Sequence, residues 1–95
     1  MLKPSGTLHI DTGAANALKK GSSLLPAGVT SVSGKFEKGD AVSITANDVE
    51  IARGLVGYDL ADADKIKGLN SSEITAVLGY ENGAALIHRD NLVML

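Results

Sequence analysis

The residues whose types and spacing could support chemistry are few. Gly28 and the pair Gly34-Lys35 supply the glycine and lysine of a phosphate-binding loop. The interval between them is one residue too long, however, and Phe36 stands where such a loop needs a Mg²⁺-binding Ser or Thr. Gly54-Leu55-Val56-Gly57 has the outline of a G-x-x-G loop, but its middle residues are apolar and it lies inside a strand pattern. A bulge, or a place where another backbone comes close, accounts for Gly54 more simply. His9 and His88 could join Asp11 and Asp90 in a metal cluster, yet neither pair has ligand spacing and no cysteine assists. Surface or capping histidines are the preferred reading. Ser22 and Ser23 have no adjacent base to activate them and read as turn residues. Phe36, Tyr58 and Tyr80 are too scattered for a base-stacking platform and read as core and rim. No self-contained active site emerges.

The elements that must position these residues centre on the stretch from Phe36 to Tyr58. Lys38-Gly39-Asp40 forms a tight turn into the β-rich run Ala41–Thr45, and Asn47-Asp48 supplies residues that tolerate a left-handed backbone before Val49–Val56 returns. Val42 and Ile44 alternate with Ser43 and Thr45, and Val49 and Ile51 alternate with Glu50. That period of two predicts a hairpin with one buried and one wet face. Before it, Thr7–Ile10 reads as a strand with Leu8 and Ile10 on one side. Asp11 or Thr12 then caps a helix over 13–20, with Ala14, Ala17 and Leu18 inward, Lys19 and Lys20 in its last turn and Gly21 at its stop. Ser22–Gly28 is an irregular apolar loop, and Val29–Ser33 a second strand. After the hairpin, Tyr58–Gly68 predicts a short helix with acids early and lysines late. Asn70 with Glu73 suggests a capping box for another helix through Ile74, Val77 and Leu78. Glu81-Asn82-Gly83 is a turn, and Ala85–Ile87 and Leu92–Leu95 read as closing strands joined by the polar corner His88–Asn91. The expected core includes Leu8, Ile10, Leu18, Val42, Ile44, Ile51 and Leu55.

Five or six short strands with two or three short helices imply a mainly β, α+β domain built as a small twisted or barrel-like sheet. Ninety-five residues can bury roughly 60–70% of the unfolded chain's surface without a staple. The chain has no cysteine, which suits a reducing compartment. Residues 1–5 have no long apolar run and do not make a signal peptide, and no stretch approaches membrane-spanning length. A soluble, cytoplasmic domain is expected. Nine basic residues against eleven acidic give a net charge of −2. A global basic excess of the kind that holds nucleic acid by phosphate neutralisation is missing, although a local basic face is compatible with this balance.

The hairpin segments Phe36–Val42 and Ile51–Val56 resemble a PUA domain, the module named for pseudouridine synthase and archaeosine transglycosylase. Gly13–Leu18, Ser23–Val29, Glu73-Ile74, Leu78-Gly79-Tyr80 and the ending Ile87-His88-Arg89-Asp90-Asn91-Leu92-Val93 follow in matching order. Together they are similar to the C-terminal PUA domains of bacterial glutamate 5-kinases (gamma-glutamyl kinases). The resemblance implies a PUA-like pseudobarrel of mixed strands over residues 6–95, with 1–5 as the remnant of a linker to an amino-acid kinase domain absent from this chain. It also implies a parent that phosphorylates glutamate with ATP and Mg, opens proline biosynthesis, and forms a homo-oligomer. Catalytic, cofactor and metal residues would all lie in the kinase domain, and none is expected here. The module's role would be regulatory and structural, with that kinase domain as partner. The alternative is RNA binding, as in PUA domains of tRNA- and rRNA-modifying enzymes, and weak in view of the charge. The family's RNA surface maps to Lys19, Lys20, Ser22, Ser23 and Arg89, which would serve either RNA or interdomain contact. Helix-dipole compensation alone would account for the lysines, and a corner ion pair with Asp90 or another acid for Arg89.

Overall fold

A computed structural model describes residues 3–95. Of the linker expected over 1–5, Met1 and Leu2 lie outside the described residues. Five strands, β1 (Gly6–Ile10), β2 (Val29–Gly34), β3 (Ala41–Ala46), β4 (Val49–Leu55) and β5 (Leu92–Met94), form one mixed sheet in the order β2-β1-β3-β4-β5. Only β1 and β3 run parallel; the other neighbours are antiparallel. Three short helices, α1 (Thr12–Lys19), α2 (Leu60–Ile66) and α3 (Ile74–Leu78), accompany it. The mainly β, α+β class expected from the patterning is the class observed.

Local chemistry explains most boundaries. Asp11 accepts the Ala14 N–H at 2.7 Å and Asp59 accepts the Asp62 N–H at 2.8 Å, so each satisfies a free donor at the start of its helix. The β3–β4 turn places both Asn47 and Asp48 at positive φ, 51° and 63°, as a two-residue hairpin with matched twist requires. Leu8, Val42 and Ile44 point inward and are fully buried. Tyr58 is 1% exposed, and its hydroxyl donates to the Gly83 carbonyl and accepts the Asn82 N–H, both at 2.8 Å. Both roles of the buried phenol are filled, which offsets the cost of removing it from water.

The structure departs from the sequence reading in β4. Ile44 pairs with Ala52 but Thr45 pairs with Glu50, leaving Ile51 as an extra residue in a β-bulge. The phase therefore flips: Ala52 and Gly54 face the core, Ile51 is half-buried, and Leu55 is 47% exposed. Ile51 packs against the core without being fully buried, and Leu55 is not the core residue expected, because alternation carried past an unseen bulge turns the wrong residues inward. Gly54 is explained by close approach. A Cβ there would lie 2.8 Å from both the Asn91 carbonyl oxygen and Ile87 Cγ2.

The run 85–87 is not a strand; Ile87 makes only an isolated bridge to Leu24. Asn70 accepts from the Ser72 N–H inside a short 3-10 turn rather than entering a capping box with Glu73, and α3 starts at Ile74. On α1, Ala15 and Leu18 are the buried pair, and Ala14 and Ala17 only half-buried.

Candidate functional surface

The five residues singled out in the sequence occupy the end of α1, the loop after it, and the corner before β5. Lys19 closes α1, and Lys20 caps it, its backbone N–H donating to the Ala17 carbonyl while the Gly21 N–H donates to that of Leu18. Gly21 then turns the chain at φ 90° into Ser22 and Ser23. The loop is pinned by backbone bonds between Leu24 and the segment 86–87: Leu24 donates to Ile87 at 2.9 Å and Leu86 donates to Leu24 at 2.7 Å. That pinning brings Ser23 to the distant corner, where its Oγ accepts the Arg89 N–H at 2.9 Å.

Ser23 and Arg89 therefore meet, 66 residues apart in the chain. Among the described residues no hydrogen bond or ion pair joins Lys19 or Lys20 to Arg89. Nor does Arg89 form the corner ion pair anticipated for it; at this corner His88 Nδ1 accepts the Asp90 N–H at 3.1 Å. An open groove runs beside this rim between α1 and the loop, walled by Asp11, Ala14, Ala17, Ser22 and Leu25. Its walls are small and largely apolar, with one carboxylate. No group of three or more His, Asp or Glu suited to holding a metal occurs among the described residues.

A polar network that sequence reasoning missed lies on the outer face of the sheet. Glu50 Oε2 accepts from Ser43 Oγ at 2.6 Å and from Arg53 Nε at 2.8 Å, and Arg53 Nη2 reaches Oε1 at 3.1 Å. Residues three apart on a regular strand face opposite ways. The bulge at Ile51 turns Glu50 and Arg53 to the same side. Their hydrogen bonding, Arg53 first and Ser43 second, holds the Glu50 carboxyl below its ordinary range, and Glu50 in turn raises the Arg53 guanidinium. The sequence signal for this network would have been the cross-strand pair Ser43–Arg53, had the bulge been placed.

A five-stranded mixed sheet with one parallel pair, trimmed by short helices, defines a small mainly β module. The family model of the PUA domain matches residues 6–78, and the chain belongs to that family. It is 56% identical over 94 residues to the glutamate 5-kinases of Brucella ovis and Brucella abortus. Each match covers 98% of this chain and 25% of the relative, so the chain spans about a quarter of the length of the curated relatives it matches. Among solved structures, a PUA domain from Aeropyrum pernix, crystallised with tartrate, superposes with a TM-score of 0.64 at 26% identity, over 88% of this chain and 41% of that one. A PUA domain protein from Thermoplasma acidophilum, at TM-score 0.54 and 24% identity over 86% of this chain and 47% of that one, shares the fold.

Proposed function

We propose that this chain is the accessory PUA module of a glutamate 5-kinase. Residues 6–95 act as one unit, residues 1–5 as its linker, and the role is regulatory and structural rather than catalytic. The observation that carries this reading is the 56% identity across 98% of the chain to one quarter of those enzymes. ATP, Mg and glutamate would be handled by the kinase part of the parent, a cytoplasmic homo-oligomer in this reading. The module would tune that part's response to proline or metal, or its assembly. In this reading Ser23 serves structure, its Oγ accepting the Arg89 N–H and so tying the loop after α1 to the corner before β5.

RNA binding is the second reading, favoured by the placement of Lys19, Lys20 and Arg89, all exposed, on one rim. The net charge of −2 weighs against it.

The test is a chimaera in which this chain replaces the matching quarter of the Brucella ovis enzyme. Its glutamate-dependent ADP formation and proline response should follow those of the intact enzyme, and the isolated chain should form no ADP above a blank. A chimaera that behaves like the enzyme lacking that quarter would refute the accessory role. Turnover by the isolated chain that survives repurification would refute the non-catalytic assignment.

A further inference from the structure

The outer face of the sheet changes character from one edge to the other. On β1 and β2 it presents Thr7, His9, Ser31 and Ser33, and on β3 and β4 Ser43, Thr45, Glu50 and Arg53. A polar outer face is what an antiparallel sheet wetted on one side should have. At the β4–β5 edge the pattern breaks. Leu55 pairs with Ala41, Val93 pairs with Arg53, and Leu95 donates its N–H to Ile51. Leu55, Val93 and Leu95 are 47%, 64% and 67% exposed, and with Ala41, Gly54 and the polar residues Arg53 and Asn91 they line one shallow, largely apolar groove. Single exposed leucines are ordinary, but a contiguous apolar patch beside an open sheet edge marks a contact surface.

The entry point of the chain says what lies over it. The Ser5 N–H donates to the Ala41 carbonyl at 2.8 Å, so any segment ahead of Ser5 arrives at the lip of this groove. In the Brucella relatives about three quarters of the length lies outside the matched region, which is C-terminal. A domain joined to the chain at that point is held near the groove at an effective concentration set by its tether. We infer that the Ala41–Leu55–Val93–Leu95 groove is the docking surface for the domain preceding this module in the full-length enzyme. The inference rests on the proposed accessory role. It assigns the interdomain contact to the β4–β5 edge and leaves the Lys19–Ser23 and Arg89 rim open to solvent.

Amide hydrogen exchange tests this, comparing the chimaera with the isolated chain. The amides of Leu55 and Val93–Leu95 should exchange at least about tenfold more slowly in the chimaera, with Lys19–Ser23 unchanged. Val93→Glu with Leu95→Glu should return the edge to the isolated-chain rate. Both side chains are exposed, so this double variant of the isolated chain should keep its melting temperature to within about 4 °C. The same exchange readout is taken on the isolated chain mixed with the Brucella ovis enzyme lacking its C-terminal quarter, so that a misfolded chimaera does not decide the matter. Protection confined to the Lys19–Ser23 rim, or absent from the β4–β5 edge, overturns the inference. Edge protection that grows with the concentration of the isolated chain alone assigns the groove to a second copy and overturns it equally. A chimaera with a protected edge but no proline response would count against the regulatory role, not against docking.

Discussion

Glu50 accepts from two side chains at once, and that double acceptance governs how the outer face responds to acid. Arg53 and Ser43 together lower its pKa from the ordinary 4.5. A carboxyl with a depressed folded-state pKa adds stability that is fully present above the unfolded value and is lost as pH falls through the folded one. The urea midpoint should thus decline from about pH 5 downward, and Glu50→Gln should flatten that decline. Equal acid sensitivity in both proteins would remove the network from the account. The core is tested by contrast. Ile44 is fully buried, so Ile44→Ala should cost about 2–5 kcal/mol, whereas Ile51→Ala at the half-buried bulge should cost only about 1–2 kcal/mol. Equal losses in chemical denaturation would contradict the bulged register. Ile44 was legible because its neighbours alternate without interruption. The phase beyond Ile51 was not, since Val49-Glu50-Ile51 alternates cleanly up to the bulge and gives no sign of the extra residue that turns Leu55 outward.

At the scale of elements, the sequence was clearest where side chains act on their own backbone. Asp11, Asp59, Asn47-Asp48 and Gly39 mark helix starts and turns by local hydrogen bonding or by tolerance of positive φ, and each lies where such chemistry puts it. It was least clear where long-range packing decides. Ala85-Leu86-Ile87 has strand composition, yet Leu86 and Ile87 are buried and make only scattered backbone bonds, to Leu24 and Gly57, in place of a strand ladder. The five candidate contact residues were legible by family resemblance, but the bond from Ser23 to Arg89 was not, because nothing local links positions that far apart. Two glycines give the packing a test of opposite signs. At Gly54 a Cβ would meet Asn91 and Ile87 at 2.8 Å, so Gly54→Ala should destabilise by about 1–3 kcal/mol. Gly13 in α1 has its nearest neighbour at 3.5 Å, so Gly13→Ala should stabilise by about 0.5 kcal/mol. A Gly54→Ala variant that melted no lower than the parent would contradict the close packing of Ile87 and Asn91 against β4.

Across the whole molecule, charge and surface divide the readings. The sheet's apolar edge and the acidic balance of the chain favour contact with protein, whereas the rim of Lys19, Lys20 and Arg89 is the only place where the RNA reading has support. Three phosphate contacts would give a salt dependence with a slope of about −2 to −3 in log–log terms. Both the shallow slope and the net charge of −2 point to little affinity at physiological ionic strength. The central claim is that this PUA module acts on its own enzyme and not on nucleic acid, and a titration of labelled tRNA at two salt concentrations tests it most directly. The account predicts no saturation below roughly micromolar protein near physiological salt, in the range of non-specific binding. Tight, saturable binding that weakens with salt and is lost in the Lys19→Ala/Lys20→Ala double variant would contradict it.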